Sequence, residues 1–397
     1  MTATYFEQLS QTLKEYPRAI PFLLVDLDRL DKNLVQLQRT IRPEVDFRIV
    51  VKSLPCVELI DYLMEKTPTN KLMVFHQPFL TDLASRLNDQ ADVLLGKPFP
   101  IKTATYFYNH LPDLSHGFNP YSQIQWLVDT SKRIEEYIQL AKQLGQRLRL
   151  NIEIDVGLHR GGFSNISELA TALQLLVTNQ AFVTFSGLMG YDPHVVKLPS
   201  IVRSPTKALQ LANTFYEDCK KAIQQDFPSL WSNQLTFNGA GSPTISLHQG
   251  NSPLNDVSAG SCLVKPTTFD LPTLKDFQPA CYIATPVLKA FEGTTLPAME
   301  RMKGLLNVVS SSNQQSFFIY GGFWKADYCY PVGVQQNSLF VSTNQNMLNA
   351  PKSVQLDVDD FVFLRPHQSE FVFLQFGKVL VVRGGKIVEE WQLLRNY

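Results

Sequence analysis

The stretch Phe47–Pro55, "FRIVVKSLP", places a lysine directly after a run rich in apolar, β-branched residues. Such a run is typical of a buried strand, where an unpaired ammonium group is costly. Two interpretations of Lys52 stay open on this stretch alone. It is either a surface lysine whose stem covers a strand end, or an amine held in an apolar cleft, which suits Schiff-base chemistry.

Similar runs recur along the first two thirds of the chain, with amphipathic helix-like segments between several of them. The eight runs are "FLLVD" (22–26), "FRIVV" (47–51), "KLMVF" (71–75), "ADVLL" (91–95), "IQWLV" (124–128), "RLNIEID" (149–155), "TFSGLM" (184–189) and "QLTFNG" (234–239). This alternation predicts an α/β fold with parallel strands and helical crossovers. A doubly wound sheet would also satisfy it, but eight units favour a (β/α)8 TIM-like barrel.

The pattern changes after Lys265, where proline-rich connections lead into runs with strand character. These runs include "CYIATPVLKAF" (281–291), "GLLNVVS" (304–310), "DFVFLRP" (360–366) and "KVLVVRGGKIVEEW" (378–391). The "RGGK" within the last run is typical of a hairpin turn. We therefore expect a barrel over residues 20–264 and a C-terminal all-β domain over 265–397, which segment 1–19 could join.

Composition points to a small-molecule ligand. The 397 residues carry 36 basic and 36 acidic side chains, with no basic stripe that would favour nucleic acid or an anionic membrane. The five cysteines show no CxxC spacing, which fits reduced thiols. With no signal-peptide pattern and no long apolar run, we expect a cytoplasmic protein.

Polar residues follow two of the later runs, at the barrel end where catalytic groups are found. "NIEIDVGLHRGGF" (151–163) presents Asp155, His159 and Arg160, and "GLMGYDPHV" (187–195) presents Tyr191. Arg160 could bond a ring nitrogen or phenolate, and an aromatic side chain could pack on a flat ligand. The alternatives are a polar loop with a helix cap and ordinary packing at the barrel rim.

The last run leads into "NGAGSPT" (238–244), where small residues expose successive backbone N–H groups. Such a turn is suited to bind an anion, above all phosphate, although many βα loops look alike. Together with Lys52 on the same barrel face, this turn is stronger evidence for a phosphate site. A Schiff-base lysine, a ring-binding loop and a phosphate site together are what pyridoxal phosphate needs.

With these residues the chain resembles fold-type III pyridoxal-phosphate enzymes, the alanine racemase N-terminal barrel group, and within it the branch of D-threonine aldolase and D-serine dehydratase. The resemblance is carried, in family order, by "IPFLLVDLDRLDKNL", "VVKS", "QWLVDT", "EIDVGLHRGGF", "GLMGYDPHV", "NGAGSPT" and "DVSAGSCLV". It implies that Lys52 forms the internal aldimine and that Arg160 and Tyr191 lie against the ring. The implied phosphate-side residues are Asn238, Gly239, Gly241, Ser242 and Thr244.

The chain departs from that branch at the positions of a C-terminal metal pair. The comparable segment is "RPHQSEFVF" (365–373), which aligns Gln368 and Glu370 with the ligands and displaces His367 by one residue. Two such oxygen ligands make a poor zinc site, so we expect no metal and keep these three only as weak candidates. A tyrosine usual in the branch is Cys262 here.

The resemblance therefore implies a pyridoxal-phosphate-dependent amino-acid racemase or epimerase that removes the α-proton from an external aldimine, on a D- or L-amino acid. Lys52 would be one base, and the second would be His159, Tyr191 or a tyrosine of the partner in a homodimer with a shared active site. The tyrosine candidates are Tyr320, Tyr328 and Tyr330. The alternatives are a metal-assisted lyase of the aldolase or dehydratase kind, a non-catalytic cofactor carrier, and a cofactor-free Schiff-base aldolase.

Overall fold

The computed structural model describes residues 3–197, 203–295 and 313–395. They form two compact units. The barrel unit comprises the described residues of Val35–Cys262, Leu271–Lys275 and Leu394–Tyr397, and the β unit comprises those of Met1–Leu34, Leu263–Asp270 and Asp276–Leu393. The predicted strand "GLLNVVS" (304–310) lies outside the described residues.

The elements follow one another in a regular order. The strands are β1 (Phe22–Asp26), β2 (Asp46–Val50), β3 (Lys71–Val74), β4 (Asp92–Leu95), β5 (Ile124–Val128), β6 (Leu148–Glu153), β7 (Val183–Gly190), β8 (Thr236–Gly239), β9 (Asp256–Ala259), β10 (Cys281–Glu292), β11 (Gln315–Tyr320), β12 (Ala326–Tyr330), β13 (Gln335–Gln336), β14 (Gln345–Ala350), β15 (Phe361–Pro366), β16 (Lys378–Arg383) and β17 (Lys386–Gln392). The α-helices are α1 (Ala3–Glu15), α2 (Leu27–Thr40), α3 (Val57–Lys66), α4 (Gln77–Ala84), α5 (Ile101–Asn109), α6 (Pro120–Gln123), α7 (Ser131–Leu144), α8 (Ile166–Thr178), α9 (His194–Lys197), α10 (Pro205–Asp226), α11 (Ser261–Val264) and α12 (Ser369–Phe373).

The barrel unit contains a closed parallel barrel of eight strands, β2 to β9, in which each strand pairs with the next and β9 pairs back onto β2. The predicted barrel is thus confirmed. Side-chain caps precede two of its helices. The Thr130 side chain accepts the N–H of Arg133 ahead of α7, and Asn165 accepts that of Glu168 ahead of α8. Gly145 ends α7 in the left-handed conformation.

The predicted membership of the first strand is wrong. β1, "FLLVD", pairs with β10 and β16 in the β unit, and the eighth barrel strand is β9, "DVSA". The structure thus differs from the predicted division at residue 20, since the β unit includes residues up to Leu34. All five β1 residues are buried, as they would be in a barrel wall, so composition alone could not separate the two placements.

The β unit contains a nine-stranded sheet with the order β13-β14-β11-β10-β1-β16-β17, and β15 joins β10 and β12. Helix α1 lays its apolar face on this sheet. Phe6, Leu9 and Leu13 pack in one cluster with sheet residues that include Phe22 and Phe363. Of the described helices, none combines the length and apolarity that a membrane span requires.

The barrel interior contains a polar network around Arg48 of β2. This side chain is 0% exposed, and its Nη2 lies 2.9 Å from Asp256 Oδ2 of β9, while its Nη1 lies 2.8 Å from Asp92 Oδ1 of β4. Burial works to raise the pKa of Asp92, but Arg48 and Arg149 outweigh it and hold the pKa at about 2. Asn238 of β8 donates to Asp256 Oδ1 at 2.5 Å. One buried cation therefore ties several strands together.

Replacing Arg48 with alanine should lower the free energy of unfolding by about 3–5 kcal/mol, because the buried Asp256 carboxylate would lose its bidentate cation. Urea denaturation followed by circular dichroism measures this. Arg147→Ala, at an exposed arginine just before β6, is the matched control and should stay within about 0.5 kcal/mol of wild type. Equal stability of the two variants would contradict a central role for the Arg48 network.

Candidate active site

Lys52 lies at the carboxyl end of the first barrel strand. It sits in a single 3-10 turn, Val51–Ser53, that directly continues β2. Its Nζ lies 4.5 Å from the centroid of the Phe75 ring, which follows β3. A Cβ at Gly96, just after β4, would overlap the Phe75 ring, so this glycine allows the ring its position. The amine is thus half-buried against an aromatic face at the barrel mouth.

Hydrogen bonds connect the Lys52 turn to the predicted phosphate loop, residues 239–244. Ser261 Oγ donates to Ser53 Oγ at 2.9 Å, and Ser242 Oγ accepts the N–H groups of Cys262 at 3.0 Å and Gly260 at 3.3 Å. The loops after β2, β8 and β9 therefore meet. Because the Ser242 oxygen already accepts two N–H groups, its own proton is oriented for donation to an acceptor such as a phosphate oxygen.

Tyr191, Arg160 and Gly241 come together at the same end of the barrel. A Cβ at Gly241 would lie 2.7 Å from Tyr191 Cε2, so glycine is required for the tyrosine ring to approach the loop. The guanidinium carbon of Arg160 lies 5.2 Å from the centroid of the Tyr191 ring. The residue between the glycines, Ala240, has a φ of +59° and takes the left-handed conformation. The predicted ring-binding and phosphate-binding elements are thus neighbours.

The side chains of two residues predicted to bind the cofactor are hydrogen-bonded to other side chains of the protein. Asn238 is 1% exposed, and its amide donates to Asp256 and to Ser258 in the barrel interior. The Thr244 hydroxyl lies 2.7 Å from Asp192 Oδ1. Since an ionised carboxylate only accepts, Thr244 must donate its proton there. Both side chains therefore shape the loop from within, which leaves the loop's backbone and Ser242 as the groups available to a cofactor.

His159 lies on the outside of its loop. Its side chain is 83% exposed, and its Nδ1 lies 2.9 Å from Asp155 Oδ2. Burial works to raise the pKa of Asp155, but hydrogen bonds from His159 and Gly157 outweigh it and hold the pKa below its ordinary value. The pair braces the loop after β6, and His159 is less enclosed than Tyr191 as a candidate base.

Glu153, the last residue of β6, did not stand out in the sequence. It is 8% exposed, and burial together with Asp129 and Asp155 raises its pKa to about 7, against a lowering by Arg160. A carboxyl group with such a pKa exchanges its proton near neutrality. The available signal was a glutamate placed at the carboxyl end of an apolar strand, in "NIEID".

The weak metal candidates belong to the β unit. His367 Nε2 lies 2.9 Å from Asp327 Oδ1, Gln368 precedes α12, and Glu370 lies in its first turn. Within residues 3–197, 203–295 and 313–395, no three His, Cys, Asp or Glu side chains are gathered as a metal site.

The three tyrosine candidates differ in their surroundings. Tyr328 accepts a hydrogen bond from Asn346 at 3.0 Å, and burial, partly offset by this bond, raises its pKa to about 12. Tyr330 stacks on Phe6 with ring centroids 5.1 Å apart. Tyr320 is 42% exposed. Among these three, Tyr320 is thus the most exposed.

The residues of the barrel mouth fit pyridoxal phosphate. Lys52 offers an amine at a strand end, and the glycine at position 241 lets the Tyr191 ring lie against the loop. The oriented Ser242 hydroxyl suits a phosphate oxygen. These protein groups suit a ligand that carries an aldehyde at one end and an anion at the other.

The chain is similar to known proteins in sequence family and in fold. The family described as alanine racemase, N-terminal domain, matches residues 25–267. The fold is similar to that of D-threonine aldolase from Filomicrobium marinum, with a TM-score of 0.72 and 15% identity over 95% of this chain and 97% of that one. It is also similar to D-threo-3-hydroxyaspartate dehydratase from Delftia sp. HT23 (TM-score 0.71, 14% identity, 97% and 100% covered). Alanine racemase from Clostridium difficile 630 has a similar fold as well, with a TM-score of 0.69 and 13% identity over 94% of this chain and 99% of that one. No curated protein sequence matches the chain.

Glu153→Gln should change how stability depends on pH. Folding raises the pKa of Glu153 from 4.5 to about 7, so the native state binds this proton more tightly than the unfolded state. Stability therefore falls as pH rises through that window and is lowest above it. The variant should be more stable than wild type by about 2–3 kcal/mol at about pH 8, with little difference near pH 4.

Urea denaturation at both pH values measures this difference. Glu135→Gln, at an exposed glutamate of α7, is the control and should follow wild type at both. If Glu153→Gln also shows the same pH dependence as wild type, the Glu153 carboxyl does not titrate in this window.

Proposed function

The chain belongs to the family of the alanine racemase N-terminal domain, within the fold-type III pyridoxal-phosphate enzymes, and from this premise we propose that it is an amino-acid racemase or epimerase. It is an enzyme of the racemase or lyase type. The observation that carries the proposal is the position of Lys52. Its turn at the first barrel strand is connected through Ser53 and Ser261 to the segment that binds Ser242.

Lys52, Ser242 and the backbone of residues 239–241 would hold pyridoxal phosphate, with Tyr191 and Arg160 beside its ring. When bound, this cofactor supplies an electron sink that makes the α-proton of an amino acid acidic. Lys52 Nζ, released when the substrate amine replaces it, would accept that proton and return it from its own side of the substrate. Inversion needs a second acid or base on the opposite side.

Tyr191 is the candidate from the barrel unit for the second acid or base, since His159 is turned to solvent. The alternative is Tyr320 from a second copy of the chain, because this tyrosine is exposed. The Glu153 carboxyl can hold a proton near neutrality, and its protonation decides whether Arg160 interacts with a neutral or a charged carboxyl group.

A lyase reaction is the second candidate. Two proteins of similar fold are an aldolase and a dehydratase. In this reading Gln368 and Glu370, with His367 nearby in sequence, would contribute oxygen ligands to a metal. The carrier reading is weaker, because a protein that only stores the cofactor has no use for the β unit.

We also propose a homodimer with a shared active site. Large apolar side chains are exposed close together in the sequence of the β unit, namely at Tyr320, Phe323, Val332, Leu339, Phe340 and Val341. Leu339 is 69% exposed and Val332 is 85% exposed. Such a concentration is typical of a surface that another protein covers.

The cofactor and its anchor can be tested together. Protein reconstituted with pyridoxal phosphate should show a visible absorption band that borohydride bleaches, and Lys52→Ala should lack this band. Lys132→Ala, at an exposed lysine of α7, is the control and should keep it. In D2O the loaded enzyme should exchange the α-proton of its substrate and interconvert the enantiomers at the same rate with and without EDTA.

Each failure has its own meaning. A wild-type protein that stays colourless with added cofactor would overturn the proposed function. A coloured protein that cleaves or dehydrates its substrate, and loses this activity in EDTA, would replace the racemase with the lyase.

The dimer predicts that Leu339→Glu and Phe323→Glu yield monomers, because each places a charge on the exposed apolar surface of the β unit. Light scattering coupled to gel filtration measures the mass of each variant against a dimeric wild type. Tyr106→Glu, at a 54% exposed aromatic residue of α5, is the control and should remain dimeric. Variants that keep the wild-type mass would contradict this interface.

A further inference from the structure

A chain of hydrogen bonds through buried side chains begins at Thr244. Thr244 Oγ1 lies 2.7 Å from Asp192 Oδ1, and Asp192 Oδ2 lies 2.8 Å from His248 Nε2. His248 Nδ1 in turn lies 2.8 Å from Ser252 Oγ. Asp192 is 3% exposed and His248 is 7% exposed. His248 did not stand out in the sequence, because its partner lies 56 residues away.

The charge of Asp192 fixes the direction of these bonds. A buried carboxylate is costly unless both oxygens are hydrogen-bonded, and here Thr244 occupies one oxygen and His248 the other. Since the carboxylate only accepts, His248 donates from Nε2. Removing His248 would leave one oxygen of a buried carboxylate without this donor.

Thr244, at one end of these hydrogen bonds, is the last residue of the loop 239–244. The N–H groups of Thr244 and Ile245 both donate to the Gly241 carbonyl at 2.9 Å. The position of Thr244 therefore sets the position of Gly241, and Ser242 lies between them. The same loop carries the Ser242 hydroxyl, which is oriented for an anion.

We propose that His248 is a positioning residue of the anion site, which acts through Asp192 and Thr244 to hold the loop 239–244 in its binding conformation. The inference rests on the proposed function, since the anion is taken to be the phosphate of pyridoxal phosphate. His248 is joined to the loop through Asp192 and Thr244, so its effect should reach the phosphate end of the cofactor and leave the aldehyde end unchanged.

A comparison of two ligands distinguishes an effect on the phosphate end of the cofactor from an effect on its aldehyde end. Dissociation constants are measured spectroscopically on the purified protein with pyridoxal phosphate and with pyridoxal, which lacks the phosphate. His248→Ala should weaken pyridoxal phosphate binding by about tenfold, as expected for a lost hydrogen bond to a charged group, while pyridoxal binding stays within about twofold. His248→Gln, which keeps an N–H donor for Asp192, should restore most of the affinity. His116→Ala, at an exposed histidine, is the control.

Thr244→Val supplies an independent arm. Because Thr244 and His248 act through one carboxylate, the double variant should bind pyridoxal phosphate no more weakly than His248→Ala alone. Full additivity would mean that Thr244 contacts the phosphate directly, and it would overturn the proposal.

Other outcomes also decide. Equal loss of both ligands in His248→Ala would assign His248 a general structural role and overturn the proposal. Should His248→Ala fail to fold, wild-type affinity for pyridoxal phosphate in Thr244→Val would overturn it as well. A wild-type protein that binds neither ligand would refute the proposed function itself, whereas a wild type that binds both, with unaffected variants, would refute only the role of His248.

Discussion

The ion pair between Arg48 and Asp256 is the constraint on which the barrel mouth depends. A guanidinium that is 0% exposed is tolerable only if carboxylates meet it at fixed positions. This requirement sets the position of β2 against β9 and, through Asp92, against β4. Lys52 lies four residues beyond Arg48 on the same short segment, so the interior network determines where the lysine emerges.

The same carboxylate also positions the proposed anion site. Asp256 accepts the amide of Asn238, and the loop 239–244 begins at the next residue. Farther along, Thr244 is held by Asp192, and Ser242 is held by the backbone after β9. The loop is therefore fixed at both ends and in its middle by buried hydrogen bonds. Such preorganisation is what a binding site needs, because the ligand then pays little to order it.

Much of the fold could be predicted from the sequence. Alternation of apolar runs and amphipathic segments is a local property, and so are a lysine after a strand and a glycine-rich turn. The β1 error arose because a strand buried on both faces has the same composition in a barrel wall and in the centre of an open sheet. Only its partners distinguish the two, and these are β10 and β16, far along the chain.

The site was predicted less completely for the same reason. Asn238 and Thr244 stand in the right loop, but their hydrogen-bond partners are 18 and 52 residues distant, and no local pattern encodes those distances. The raised pKa of Glu153 depends on burial and on the charges that gather at the carboxyl ends of several strands. The sequence thus shows which chemical groups the loops carry, whereas the hydrogen-bond partners of these groups depend on the fold.

A crystal structure of the protein with bound pyridoxal phosphate is the decisive experiment. We expect electron density continuous with Lys52 Nζ at one end of the cofactor. At the other end we expect a phosphate against Ser242 and the backbone of residues 239–241, with Thr244 still bonded to Asp192. Cofactor attached to a different lysine, or a phosphate held away from this loop, would show that Lys52 and this loop do not form the cofactor site.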